Sequence, residues 1–179
     1  AYEALMRPQL PTLRSPITVM QLASEMGRLY DIEKLTFFRA CECYEELEAA
    51  GKLDADALIF VNSIASVSLS DEDWASYCEA HSAILPKLVV EITEEEEMNE
   101  RELERKRNVP GATGVFALDD YGSGYSNGNS LLTIAPKYVK VDIAIIQGID
   151  TDADKQQFLR ALIDYAHPRG VQVDRKSVV

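Results

Sequence analysis

Short apolar runs alternate with amphipathic or charged stretches along the whole chain. The apolar runs read as strands at Tyr2–Met6, Leu58–Asn62, Leu88–Ile92, Val115–Leu118 and Tyr138–Val141, with a last one beginning at Val171–Val173. They are rich in Val, Ile and Leu, as strands buried on both faces of a parallel sheet must be. Between them, Ser15-Pro16 opens a helix as N-cap and first-turn proline, and Gly27 closes it. A second helix runs from Asp31 to Ala50, with Ile32, Leu35, Phe38, Tyr44 and Leu47 on one stripe and Gly51 as its stop. Ser70 caps a third that passes through Trp74 and Tyr77 toward Ile84. Two more cover Glu95–Arg107 and Asp152–Ala166. In the former, acids lead and bases trail, as the helix dipole prefers, and Glu97/Arg101 and Glu102/Lys106 are spaced as i,i+4 pairs. It reads as a solvated outer helix.

Strands that alternate with helices make an α/β fold with a parallel sheet. An open doubly wound sheet and a closed (β/α) barrel both satisfy the pattern. The polar residues favour the barrel. Glu3, Asn62, Glu91, Asp119 and Lys140 lie within or at the end of five different strands, where barrel enzymes carry their reactive groups. An open sheet concentrates its site at one crevice instead.

The sharpest chemical signal is VFALDDYGSGYS, where an apolar strand runs into Asp119-Asp120 and then glycines. Adjacent carboxylates repel, and a divalent cation, or two sharing the pair, relieves that repulsion. Glu91, inside VVEIT, is a second costly carboxylate if buried without a partner. Lys140 and Asp142 lie two apart in KVD, so they share a strand face and could form a simple ion pair. Gly122-Ser123-Gly124 lacks the GK[ST] continuation of a nucleotide P-loop and reads as a sharp turn after the acids. Metal-assisted chemistry on a phosphate is the reaction class these residues suggest.

Composition narrows the partners. The chain has 179 residues, 46% of them hydrophobic, which suits one globular domain. Its formal net charge is −12, so electrostatic attraction to DNA, RNA or anionic lipid is disfavoured. An anionic substrate then needs local cations, from metal, Arg7 and Lys140. No apolar run reaches membrane-spanning length and no leader-like segment opens the chain, so a cytoplasmic location is expected, with any anchor elsewhere in a longer parent. Cys41, Cys43 and Cys78 read as free thiols, and His81 and His167 as isolated histidines rather than ligands.

Five segments together resemble the EAL domain family, the cyclic di-GMP phosphodiesterase module of bacterial signalling. They are Glu3-Ala4-Leu5 with Arg7, VNSIAS, EITE, DDYGSGYS and KVDIAII, in the family's order. The resemblance covers Ala1–Val173. It implies an incomplete TIM-type (β/α) barrel lacking its first and last strands. It also implies that Glu3, Asn62, Glu91 and Asp119 hold one Mg²⁺ or Mn²⁺, with Asp119 bridging to a second ion ligated by Asp120. Lys140 would orient or deprotonate the attacking water, and Glu94 would steady the loop of the acidic pair. Arg7 would contact a phosphate, and Asp142 a guanine or the surrounding network. The implied reaction opens cyclic di-GMP to linear pGpG.

The same resemblance sets further expectations. Residues Asp174–Val179 lack family likeness and are expected to be an artefactual end. The AEGVE-like stretch that follows in the family is missing, so a poor or inactive fragment of an active parent is expected. A homodimer, and fusion to a sensory or GGDEF domain in the parent, suit the family. Two other readings compete: a degenerate EAL domain that senses cyclic di-GMP or docks a protein, and a different metal-dependent barrel hydrolase. Retention of Glu3, Asn62, Glu91, Asp119, Asp120 and Lys140 favours the enzyme.

Overall fold

The computed structural model describes residues 1–10, 12–54, 56–94, 99–123 and 129–175. The elements are β1 (Tyr2–Ala4), α1 (Pro16–Glu25), α2 (Leu29–Ala49), β2 (Ile59–Asn62), α3 (Asp71–Ala80), β3 (Leu88–Thr93) and α4 (Glu100–Arg107). They continue with β4 (Val115–Tyr121), α5 (Asn129–Ile134), β5 (Tyr138–Val141), α6 (Ile143–Ile146), α7 (Ala153–Ala166) and β6 (Gln172–Arg175). The strands neighbour one another in sequence order, β1 to β6, and β1·β2, β4·β5 and β5·β6 are parallel. A doubly wound sheet reverses its order at a switch point. This order does not reverse, so it is the succession of a (β/α) barrel. Among the described residues, no helix is long and apolar enough to cross a membrane.

Two compact units divide the chain. The first holds Ala1–Val90 and α4 through Gly114; the second holds Glu91–Glu94 and the chain from Val115 onward. In the first, Phe37 and Tyr77 are fully buried and meet edge to face at 5.7 Å between ring centroids. Trp74 closes the trio against both rings and donates its indole N–H to Ser68 Oγ at 3.1 Å. Ser70 caps α3 as predicted, accepting from the Asp73 amide. In the second unit, Phe116, Leu118, Val139, Val141, Leu162 and Ala166 are among the buried apolar residues of β4, β5 and α7.

Four readings need correction. The β1 strand stops at Ala4 rather than Met6, because its partner β2 ends at Asn62, just past the Ala4–Val61 pair. The inward face of α2 is Glu33, Phe37, Ala40, Cys41 and Tyr44, whereas Leu35 on the expected stripe is 58% exposed. A buried charge at Glu33 shifts the inward arc away from the purely apolar stripe. The β4 strand runs through the acidic pair to Tyr121 instead of ending at Leu118. Lastly, α4 is not solvated all round, since Leu103 and Lys106 are buried, and Glu102 forms an ion pair with Arg105. Its expected first turn, with the Glu97/Arg101 pair, lies outside the described residues. Two short helices, α5 and α6, were not predicted, and β6 continues through Asp174 and Arg175, opposite Lys140 and Val141.

Candidate active site

In the first unit, the register Glu3–Phe60 and the two-residue period of a strand place Glu3, Phe60 and Asn62 on one face of the β1·β2 pair. Asn62 Nδ2 donates to Glu3 Oε1 at 3.4 Å, a long bond between two groups that both offer oxygen to a ligand. Arg7 lies three residues past β1, exposed, with Nη1 donating to the Met6 carbonyl at 3.0 Å.

The second unit holds the remaining predicted residues. Glu91 sits in the middle of β3, its side chain fully buried, and forms an ion pair with Lys140 of β5. That contact spans β4, which lies between the two strands. A carboxylate sealed from water requires a counter-charge, and the ammonium supplies it. Lys140 therefore pairs with Glu91 across the sheet. Asp142 caps α6, accepting the Ala144 amide at 2.7 Å.

Asp119 and Asp120 stand at an irregularity in the sheet. Leu118 pairs with Val139 and Tyr121 pairs with Val141, so β4 spends one residue more than β5 over this span. That is a β-bulge, and it sets both aspartates opposite the single residue Lys140. In a regular strand, neighbouring side chains point to opposite faces. The bulge is made by Asp120, which has φ of 54°, a left-handed conformation that Asp tolerates better than most residues. Asp119 is 3% exposed and Asp120 half-buried.

Glu94, the residue that follows β3, ties this bulge down. Its amide donates to the Asp119 carbonyl at 3.1 Å, and its Oε2 accepts the Gly122 amide at 2.8 Å. Gly122 has φ of 94°, and a Cβ there would stand 2.8 Å from Ile145 Cγ1, so only glycine fits the turn. Gly124 lies outside the described residues. Burial, and next the Glu94 carboxylate, raise the pKa of the adjacent Tyr121, whose ring stacks on Phe158.

The structure thus joins Glu3 to Asn62, Glu91 to Lys140, and Glu94 to the backbone on both sides of Asp120. Among the described residues, no three His, Cys, Asp or Glu side chains gather closely enough to hold an ion on their own. Sequence reasoning missed the bulge and the buried Glu33 and Lys106. The adjacency of the two acids was the only available hint of the bulge. An acid inside the apolar face of α2 was the hint of the buried pair.

The EAL domain family model matches residues 1–178. The probable cyclic di-GMP phosphodiesterase PdeG of Escherichia coli (strain K12) is 24% identical over 92% of this chain and 33% of its own length. The cyclic di-GMP phosphodiesterase PdeB of Shewanella oneidensis is 26% identical over 95% of this chain and 20% of its own length. The chain therefore spans a third or less of these relatives. Among solved structures, the PaMucR phosphodiesterase in complex with c-di-GMP superposes with a TM-score of 0.77 at 23% identity, covering 99% of this chain and 74% of that one. BlrP1 of Klebsiella pneumoniae, with manganese and cy-diGMP, gives 0.75 at 20% identity over 99% of this chain and 45% of that one. These likenesses establish the fold as the α/β architecture of EAL structures, an incomplete TIM-type barrel. A family match over almost the whole length, on a chain whose five motifs fall on the C-terminal halves or flanks of successive strands, leaves one conclusion: this chain belongs to the EAL domain family.

Proposed function

We propose that this chain is a cyclic di-GMP phosphodiesterase domain that opens the cyclic dinucleotide to linear pGpG. The observation that carries the reading is the bulged Asp119-Asp120 pair opposite Lys140, next to a fully buried Glu91, in a member of the EAL domain family. The donor set fits divalent Mg²⁺ or Mn²⁺ in kind. Glu3, Asn62, Glu91 and Asp119 offer only oxygen, which suits a hard cation, and Asp120 adds an oxygen for a second. Bound cations supply a lowered water pKa and neutralise charge at the phosphate.

The chain's own groups do the rest. Lys140 holds the attacking water by hydrogen bond and helps to remove its proton. Glu94 fixes the bulge, so that the two aspartates keep their spacing. Arg7, exposed beyond β1, meets a non-bridging phosphate oxygen, and Asp142 contacts a guanine or steadies the network at the start of α6. One water adds across one P–O bond, and the leaving oxygen takes up a proton. A cytoplasmic site of action, where the dinucleotide circulates, belongs to the same reading.

The test is chromatographic detection of pGpG from cyclic di-GMP with Mg²⁺ or Mn²⁺, for the intact domain of the parent protein and for its Asp119→Ala variant. We expect cation-dependent product from the wild type and a loss of at least about 100-fold in the variant. Equal turnover by both, or product formation in excess chelator, overturns the assignment.

A further inference from the structure

Away from the proposed cation ligands, the first unit contains a fully buried ion pair that no motif foretold. Lys106 of α4 and Glu33 of α2 are each 1% exposed, and Lys106 Nζ stands 2.7 Å from Glu33 Oε1. The ammonium has three donors, and all three are used. Besides Glu33, they reach Ser63 Oγ at 2.5 Å and the Ile64 carbonyl at 2.6 Å. Glu33 is matched as fully: Ser63 Oγ donates to Oε1 at 2.6 Å and the Ile64 amide donates to Oε2 at 2.8 Å. Two charges from different helices thus close on the two residues that follow Asn62.

A buried ion pair is a poor source of net stability, because desolvation offsets most of the attraction. What the pair does supply is position, through the groups it fixes. Pairing with β1 holds β2 up to Val61 and then stops. Asn62 is the last strand residue, and beyond it the backbone has no ladder. The Glu33–Lys106 pair replaces that ladder by gripping the amide and carbonyl of Ile64 and the hydroxyl of Ser63. Asn62 is therefore bracketed, by the sheet on one side and by the buried clamp on the other.

We infer that Glu33 and Lys106 are positioning residues that set the Asn62 carboxamide for its cation, a role that rests on the ligand set proposed above. They touch neither cation nor substrate; they act through Ser63 and Ile64. This separates them from a purely structural pair, whose loss would lower stability without changing the cation affinity of the molecules that remain folded.

The experiment measures Mn²⁺ binding by the electron paramagnetic resonance signal of the free ion, for wild type, Lys106→Met and Glu33→Gln. Far-UV circular dichroism and thermal melting establish the folded fraction of each. Met keeps the stem of Lys106 and removes its donors, whereas Gln keeps the shape of Glu33 and removes its charge. The expected result is that folded variants bind Mn²⁺ roughly 10- to 100-fold more weakly, as loss of ligand-orienting partners does elsewhere. Folded variants with wild-type affinity overturn the inference and leave the proposed function standing. No Mn²⁺ binding by the wild type overturns the proposed ligand set and this inference together. If neither variant folds, amide exchange of the wild type decides: an Ile64 amide protected as well as those of β2 supports the clamp, and exchange at open-loop rates refutes it.

Discussion

At the residue scale, the chain keeps its costly groups in matched pairs. Glu91 is tolerable inside β3 because the Lys140 ammonium reaches it. We expect Lys140→Met to lower stability by about 3 kcal/mol, the usual cost of stranding one partner of a buried pair. Urea unfolding measures it, and added Mn²⁺ should restore more stability to the variant than to the wild type if Glu91 is a cation ligand. Asp120 carries the opposite kind of cost, a left-handed backbone at φ of 54°. Replacing it with glycine removes that strain, so Asp120→Gly should be at least as stable as wild type and yet lose pGpG formation by 100-fold or more, on the order expected for a lost charge-stabilising group. A variant that is unstable as well as inactive would mean that Asp120 is structural.

Cysteine chemistry also belongs to this scale. Cys41 and Cys43 are two apart on α2, and the structure buries the first and exposes the second. Burial raises the Cys41 thiol to about 11, and its Sγ lies 2.9 Å from Tyr77 Oη. Iodoacetamide at pH 8 should therefore label Cys43 and spare Cys41 in the folded protein, as read by peptide mass spectrometry. The sign of the linkage follows from the same shift. The folded state keeps a proton that the unfolded chain releases near the ordinary thiol value of about 9. Stability is therefore unaffected by this thiol below pH 9 and falls between pH 9 and 11, by up to about 1.4 kcal/mol per unit.

At the scale of elements, legibility depended on whether the signal was local. Ser70, Asp152 and Pro16 announced helix starts that the structure reproduces, because caps act through neighbours within one turn. The bulge in β4 was not legible, since it is defined by the register against β5, a strand that lies farther along the chain. The Glu33–Lys106 pair was hidden for the same reason: its members are 73 residues apart. Read alone, α4 looks like a solvated helix, and only the partner on α2 shows why Lys106 turns inward. The loop joining α4 to β4 makes its own demand. Gly114 has φ of 63°, and a Cβ there would meet the Arg107 carbonyl at 2.7 Å. Gly114→Ala should cost about 2 kcal/mol or more, whereas Gly27→Ala, with the same backbone sign but open space around it, should cost about 1. Equal melting temperatures for the two variants would refute the steric argument.

At the scale of the whole molecule, the alternation of elements gave the fold class, and the strand order removed the doubly wound alternative. Five short motifs in order identified the family because each pairs a strand with a reactive polar group. Composition contributed a constraint rather than an identity. A chain of formal net charge −12 must create its own positive field before it can hold an anionic dinucleotide. Under the proposed function, Lys140 and Arg7 are offered as contributors to that field, and the proposed cations as the larger contribution.

The most direct test of the central claim is an anomalous difference map from crystals of this chain grown with Mn²⁺. The expected result is a peak about 2.1 Å from oxygens of Glu91 and Asp119, with a second peak at Asp120. Peaks confined to other carboxylates, or none at full Mn²⁺ concentration, would contradict the account.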